Sequence, residues 1–450
     1  MAPMTPLSST SSRHAALGLL ETWVALHNRT ALAALLALAF AARALIAWWA
    51  ADLNPATATI WEYGGIAELS LERGAIVSDA TIDGSPYVFP TAFMPPALIF
   101  FDMFWFWLLG VGRSALACLI ASNVLFGTAI CFYTVRIAHT LFGSRPVALL
   151  AGLIIALHPV FVFSVSTYHA VNIYILLLLV VFDLLSTRVP RTAGNAALAG
   201  LMLGVAMLAR TEYMILGSAM MTAAYLARKQ IRLLLLAATC AALVVAPWTG
   251  RNYLVFHEFI PIVDSAGLNL YKGFNPFANG SGHWIDHSGL INQPVLEIVR
   301  NVPLTPRYEI DTENRFKAAA LDFIRHNRFR SFVELPLRKI LLFWLFDVYD
   351  PTTHSVLYQL SLWPVMLLAF VGIVRSVRSI SGWDTNLLMI VAFFVAQTAV
   401  ITGYAVHSRY RMNVEPFLAC FAAFGLLLLL RPRDQASSIT AIVSSANDRI

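Results

Sequence analysis

Apolar residues in this chain fall in long unbroken blocks rather than at helical or strand spacing. The blocks cover 31–50, 95–111, 114–135, 147–166, 170–187, 195–209, 212–227, 231–247, 356–374, 385–403 and 415–430, and a shorter one covers 338–349. An apolar block of roughly 20 residues, wound as a helix, matches the hydrocarbon thickness of a bilayer. Inside a bilayer only helices and closed barrels satisfy their own backbone groups. The pattern predicts an all-α polytopic membrane protein, a bundle of about ten to twelve transmembrane helices with two external segments. Its expected divisions are a cytoplasmic tail at 1–30, a transmembrane module at 31–247 with an external loop at 51–94, and an external segment at 248–335. C-terminal transmembrane helices at 336–430 and a cytoplasmic tail at 431–450 complete the chain.

Orientation follows from Lys and Arg in the short loops, which collect on the cytoplasmic side. Arg136 and Arg145, Arg188 and Arg191, Arg228 with Lys229 and Arg232, Arg375 with Arg378, and Arg431 with Arg433 mark that side. The stretch 51–94 holds Asp52, Glu62, Glu68, Glu72, Asp79 and Asp83 against Arg73 alone, so it reads as external. Both assignments hold only if 95–111, which opens with Pro95-Pro96 and contains Asp102, does not cross. It reads as a re-entrant or interfacial helix, which leaves about ten spans.

Composition narrows the class. Of 450 residues, 58% are apolar and 12% charged, against roughly 25% charged in soluble domains, and the mean hydropathy is +0.70. A soluble enzyme, a secreted disulfide scaffold and a disordered chain are excluded. The net charge of +6 is what the positive-inside bias produces, so nucleic acid is not an expected partner. Cys118, Cys131, Cys240 and Cys420 all lie in apolar blocks without metal-ligand spacing and read as reduced thiols.

Candidate chemistry sits in the external stretches. Trp61-Glu62-Tyr63-Gly64-Gly65 begins a short helix in the first loop, and a carboxylate there is placed either to serve as a general base or to complement the helix dipole. Pro90-Thr91-Ala92-Phe93-Met94-Pro95-Pro96 fixes the chain's re-entry into the apolar layer. Arg251 after Pro247-Trp248, and Arg409, Tyr410 and Arg411 ahead of Pro416, put guanidinium groups on the side where cations are disfavoured. Such groups suit an anionic lipid phosphate, snorkelling to headgroups, or pairing with the acidic loop. His283, Asp286 and His287 lie within five residues but lack further ligands at useful spacing, so no metal or other cofactor is expected.

The ordered set resembles a family of integral-membrane glycosyltransferases that use polyprenyl-phosphate sugars. These are the GT-C class, including the protein O-mannosyltransferases of glycosyltransferase family 39 and the lipid A aminoarabinose transferases. The resemblance covers most of 31–430. It rests on Arg43 in the first span, the Glu62–Gly74 loop helix, the Thr91–Pro96 re-entry, His158-Pro159, Pro247-Trp248-x-x-Arg251-Asn252, and Ser408-Arg409-Tyr410-Arg411.

It implies a GT-C-like bundle with Glu62 as catalytic base, although the family more often has Asp there. Arg251, Arg409, Tyr410 and Arg411 would bind the donor phosphate. A second acidic group expected after the third span is missing; His169 or Asn172 stands in its place. Implied partners are a polyprenyl-phosphate sugar donor, a lipid, glycan or protein acceptor, and the surrounding membrane lipids. The Ala/Leu-rich spans and short loops suit a bacterial inner membrane with the site facing outside. A lipid or small-molecule transporter and a non-catalytic assembly subunit stay open as alternatives. Inside the spans the charged positions are few: Arg43 and Asp183 near ends, and Arg210 with Glu212 at a turn.

Overall fold

The computed structural model describes residues 28–82, 85–282, 292–300, 302–379 and 384–430. The chain enters through α1 (Asn28–Ala50) and α2 (Trp61–Arg73), then folds back in an antiparallel hairpin of β1 (Val77–Ile82) and β2 (Ser85–Pro90), with Val77 opposite Pro90. There follow α3 (Pro96–Leu109), α4 (Arg113–Phe142), α5 (Arg145–Leu157), the short α6 (Pro159–Phe163), α7 (Val171–Leu185), α8 (Ala193–Ala209), α9 (Tyr213–Leu226) and α10 (Ile231–Phe256). A connecting segment forms α11 (Ala266–Gly273), α12 (Asn292–Arg300), α13 (Tyr308–His326), a π-helical turn at Arg330–Glu334 and α14 (Leu335–Trp344). The chain closes with α15 (Val356–Ser379), α16 (Thr385–Gly403), a 3₁₀ turn at Ser408–Asn413 and α17 (Glu415–Leu430).

Among the described residues α1, α4, α10, α15 and α16 are each long and apolar enough to cross a membrane. The bent pair α5–α6 makes a sixth span if counted as one, and shorter apolar helices join them. The protein is an integral, multi-pass membrane protein. Side-chain contacts fix which ends of the helices meet. At one end Arg136 of α4 pairs with Asp183 of α7 at 2.7 Å, Arg228 donates to Thr385, and Phe142 stacks on Phe424. At the other end Asn123 donates to the Thr167 carbonyl, and His158 faces Glu415 at 3.8 Å. Successive helices α1, α4, α5, α7, α8, α9, α10, α15, α16 and α17 therefore alternate in direction. The basic loops at 136–145, 188–191 and 228–232 gather at the first end.

α3 is outside this alternation. Its Ile99 and Phe106 pack with Ile66 and Ala67 of α2, Leu116 and Leu119 of α4, and Tyr168, all at the second end. Pro95-Pro96 start the helix where the missing amides cost nothing, and Gly110 ends it. Because α4 begins only a few residues later, α3 turns back without traversing the bundle.

The block 147–166 is broken rather than continuous. α5 and α6 meet at 57° across His158-Pro159. Proline has no amide to give the Ile155 carbonyl four residues earlier, and its ring crowds that position. The His158 amide reaches the Ile155 carbonyl at 3.4 Å, and the fully buried Arg43 of α1 supplies stronger donors. Its guanidinium bonds the Ile155 carbonyl at 3.1 Å and the Ala156 carbonyl at 3.2 Å, with a third bond to Ala39 in its own helix. Gly127 of α4 leaves room for it, since a Cβ there would sit 2.7 Å from Arg43 Nε.

Elsewhere small residues set the spacing, as is usual between helices in lipid. A Cβ on Gly200 would meet the Ala237 carbonyl of α10 at 2.1 Å, and one on Gly372 would meet the Phe421 carbonyl of α17 at 2.0 Å.

Three expectations change. The loop 51–94 contains a β-hairpin as well as its helix. α10 does not stop at Pro247 but continues to Phe256. One interior proline removes a single helical bond, while tertiary bonds hold the following turns: Trp248 Nε1 donates to the Ile262 carbonyl at 2.7 Å and Asn252 Nδ2 to those of Ile260 and Ile262. The short block 338–349 is divided between the end of α14 and an irregular stretch after Trp344. The two tails, Arg378 with the rest of that loop, and the His283–His287 stretch all fall where side chains lie outside the described residues.

The Arg43 clamp is testable. Arg43→Met removes the guanidinium donors from the broken helix end and is expected to lower stability by about 1.5–3 kcal/mol, the range for losing hydrogen bonds to a charged group. Pro159→Ala restores the backbone amide, so the double variant should lose clearly less than the sum of the two single changes in thermal unfolding in detergent. Strict additivity would refute the coupling.

Candidate functional site

At the end of the bundle away from the basic loops lies a cavity of about 390 Å³. Its walls come from the start of α2, the 93–95 re-entry, the loop before α7, the turn between α8 and α9, the 261–272 segment, and the 404–410 stretch. These are the irregular connections at one end of a helical scaffold, the usual place for binding groups held by rigid elements.

Glu62 enters this cavity through an unusual helix start. Trp61 has φ +53°, a left-handed conformation costly for a bulky residue, and Ile60 is folded over the first turn. That fold needs Gly64, because a Cβ there would lie 2.6 Å from the Ile60 Cβ. The His169 ring stands edge-on to Trp61 at 5.7 Å and to Tyr63 at 6.4 Å, bracketing the carboxylate's helix turn.

The cationic wall is built from aromatic stacking. The Arg210 guanidinium lies 4.3 Å from the Tyr174 ring centre and 4.9 Å from that of Tyr410, and it also pairs with Glu212. Arg409 also lies over Tyr410, at 5.7 Å. Stacked guanidinium groups keep their charge while their planes are desolvated. Lys272 of α11 completes the wall. Desolvation lowers its pKa and Arg409 adds to that, while the Glu62 and Glu313 carboxylates act in the opposite sense. His169 is held down to about 3 by desolvation and by the Arg409 and Arg210 charges, so it stands neutral. A carboxylate facing two guanidinium groups and an amine in one partly enclosed space can accept a proton on one side and stabilise a forming anion on the other.

Not all of the sequence-derived set converges here. Glu62, His169, Arg409 and Tyr410 line the cavity. Arg251, Arg411 and Asn172 do not. Arg251 donates to the carbonyls of Thr91 at 2.8 Å and Ile76 at 2.9 Å, tying the hairpin exit to α10. Arg411 is buried, donates to the carbonyls of Phe343, Trp344 and Leu345, and has Glu415 at 3.6 Å. Both guanidinium groups are occupied by ends of secondary structure. Asn172 is fully buried and accepts from the Ser164 hydroxyl at 3.1 Å. In their place stand Arg210 and Lys272. The signal for Arg210 was present, since an adjacent Arg and Glu at a turn between two apolar helices are costly unless used. Lys272 had no such mark.

Two glutamates one helical turn apart hold the cavity walls. Glu309 of α13 accepts the Ala92 amide at 2.6 Å and the Thr91 hydroxyl at 2.5 Å, securing the re-entry loop. Glu313 accepts the Leu268 amide at 3.0 Å, securing α11. Asp264 lies close to both, and its own amide donates to the Ala92 carbonyl. Burial raises Glu309 to about 8 and Glu313 to about 7 against the pull of those hydrogen bonds. Burial, with Glu258 nearby, raises Asp264 to about 6.

Among the described residues no three His, Cys, Asp or Glu side chains gather in a way that could hold a metal ion.

A carboxyl whose pKa is higher folded than unfolded stabilises the fold at low pH and loses that contribution as pH rises. For Glu309 the window runs from the ordinary glutamate value of ~4.3 to about 8. Thermal stability of the wild type is therefore expected to fall between those pH values. Glu309→Gln keeps an acceptor for Ala92 and cannot ionise, so its stability profile should be flatter. An unchanged slope would show that Glu309 does not supply it.

No sequence-family profile and no curated protein matches the chain. Solved structures do. The oligosaccharyltransferase of Archaeoglobus fulgidus, in complex with Zn and sulfate, superposes with a TM-score of 0.54 at 15% identity, over 93% of this chain and 51% of that one. The same archaeal enzyme, AglB, in complex with an inhibitory peptide and a dolichol-phosphate, gives 0.53 at 14% identity over 94% and 56%. ArnT from Cupriavidus metallidurans bound to undecaprenyl phosphate gives 0.38 at 13% identity over 88% and 78%. The chain thus spans about half the length of the archaeal enzyme whose structure it matches. Its architecture is the helical membrane fold seen in that archaeal enzyme.

Proposed function

We propose that this protein transfers a sugar from a polyprenyl-phosphate donor to an acceptor hydroxyl. The observation that carries the reading is the placement of Glu62 and the guanidinium groups of Arg210 and Arg409 around one cavity, at the end of an apolar bundle opposite its basic loops. By the positive-inside rule that end faces away from the cytoplasm. A lipid-linked donor would hold its phosphate at headgroup level there, with its chain in the bilayer. The shared fold with an archaeal oligosaccharyltransferase solved with dolichol-phosphate supports this donor class.

In this reaction Glu62 accepts the proton of the acceptor hydroxyl while that oxygen attacks the anomeric carbon. The bond from that carbon to the phosphate oxygen breaks, and the lipid phosphate leaves with the electron pair. Arg409, Arg210 and Lys272 stabilise the anion as it forms. Arg251 and Arg411 serve the same reaction indirectly, by fixing the re-entry loop and the 3₁₀ turn. Phosphate needs no general acid to leave, so one carboxylate suffices and the anomeric configuration inverts. His169, neutral and edge-on to Trp61 and Tyr63, maintains the conformation in which Glu62 is presented.

The experiment is sugar transfer by the purified protein in lipid, with a panel of polyprenyl-phosphate sugars, comparing wild type with Glu62→Gln. A general base is worth roughly 10²–10⁴-fold, so the amide variant should lose activity on that scale while still binding donor. Turnover at the wild-type rate would remove Glu62 from the chemistry.

A further inference from the structure

The connecting segment carries an apolar stripe that nothing in the described fold covers. From Phe329 to Leu345 two faces separate cleanly. Ser331, Leu335, Lys339 and Phe343, each four residues apart, are buried. Phe329, Val333, Leu337, Leu341 and Leu345 repeat at the same interval on another face, and Phe332 joins them through the π-helical turn at Arg330–Glu334. Phe329 is 74% exposed, Phe332 69% and Leu337 56%. A helix buried along one line and apolar along another is not packed for water on its outer side.

The inner face explains why its position matters. Lys339 Nζ donates to the Thr402 carbonyl at 2.9 Å and lies 3.7 Å above the Phe274 ring. The carbonyls of residues 343–345 receive Arg411, next to the cavity residues Arg409 and Tyr410. Arg330 donates to the carbonyls of Pro276 and Ala278. One short helix thereby fastens the 3₁₀ turn bearing the cationic wall, the end of α16 and the chain beyond α11.

The occupant of the stripe is indicated by its surroundings. α14 packs against the membrane span α16, which itself presents the exposed Val395, so the stripe extends the lipid-facing surface of the bundle. Arg325 and Arg328 are exposed at its start, and Arg338 is tied to Glu334 at 3.1 Å beside it. Cations flanking an apolar face complement lipid phosphates above acyl chains.

We propose that Phe329–Leu345 is an in-plane helix seated in the lipid headgroup and acyl boundary at the cavity end, and that this seating sets the height of the cationic wall relative to the leaflet. The stripe is a lipid-binding surface rather than a contact for a second copy or a soluble partner.

The test uses the full chain in nanodiscs, with Cys118 and Cys240 changed to Ala and a single environment-sensitive dye at Phe332→Cys, Leu337→Cys or, as control, Asp322→Cys. Lipid seating predicts blue-shifted emission at 332 and 337, with strong quenching by lipids carrying a nitroxide near the headgroup. The solvent-exposed 322 position should be unaffected. Solvent-like emission without quenching at 332 and 337 would overturn the proposal. Blue-shifted emission that nitroxide lipids do not quench would overturn it in favour of a protein partner, and a mass measurement of the same particle would identify a second copy. None of these readouts depends on glycosyl transfer, so they stand whether or not the proposed activity is found.

Discussion

Everything at the functional end of this molecule depends on one constraint: a bilayer offers no water to an unpaired carbonyl. The chain meets it at the sharpest break in its bundle with a single side chain. Pro159 ends α5 and leaves the Ile155 carbonyl only a long bond from the His158 amide, and Arg43 from α1 bonds that carbonyl and its neighbour. The bend lets the chain turn inward over residues 159–169 and deliver His169 to the cavity. Without an internal donor, the same bend would leave polar backbone in hydrocarbon, at a cost of several kcal/mol.

The same solution recurs with other cations. Arg251 bonds the carbonyls where the hairpin ends, Arg411 those where α14 ends, and Lys339 one where α16 ends. In each case a long basic side chain closes a terminus that cannot be left to solvent. Arg210 and Arg409 differ in kind. They lie over tyrosine rings and both line the cavity, with Arg210 paired to Glu212. Aromatic contact is common to both groups, since Arg251 lies over Trp248 and Phe256 and Lys339 over Phe274; what sets the structural cations apart is their bonds to backbone carbonyls. The acidic residues divide similarly: Glu309 and Glu313 are consumed by amides of the cavity walls, whereas Glu62 sits on a strained helix start that exposes it to the cavity.

Much of this was legible in advance. Apolar blocks located the long helices, because a helix in lipid must be apolar along a fixed length. Pro95-Pro96 and the parity of the basic loops singled out α3. The hairpin has only a short local mark, Asp83-Gly84 between two brief runs, a common turn signal, while the acidity of the loop speaks to its side of the membrane and not to its strands. The end of α10 was misplaced because Pro247 reads locally as a stop, and only the bonds from Trp248 and Asn252 to residues 260–262 reveal that the helix continues.

The sequence by itself determined the class of the protein, its helical blocks, and four of the residues that line the cavity. Those properties follow from hydrophobicity, charge sign and proline, which act locally. Which arginines line the cavity was decided only in three dimensions. A guanidinium group has the same charge wherever it lies, and its role depends on whether a distant carbonyl comes within reach. Arg251 and Arg411 met carbonyls more than sixty residues away, while Arg210 met Tyr174 and Tyr410, and no feature of the linear chain distinguishes those outcomes.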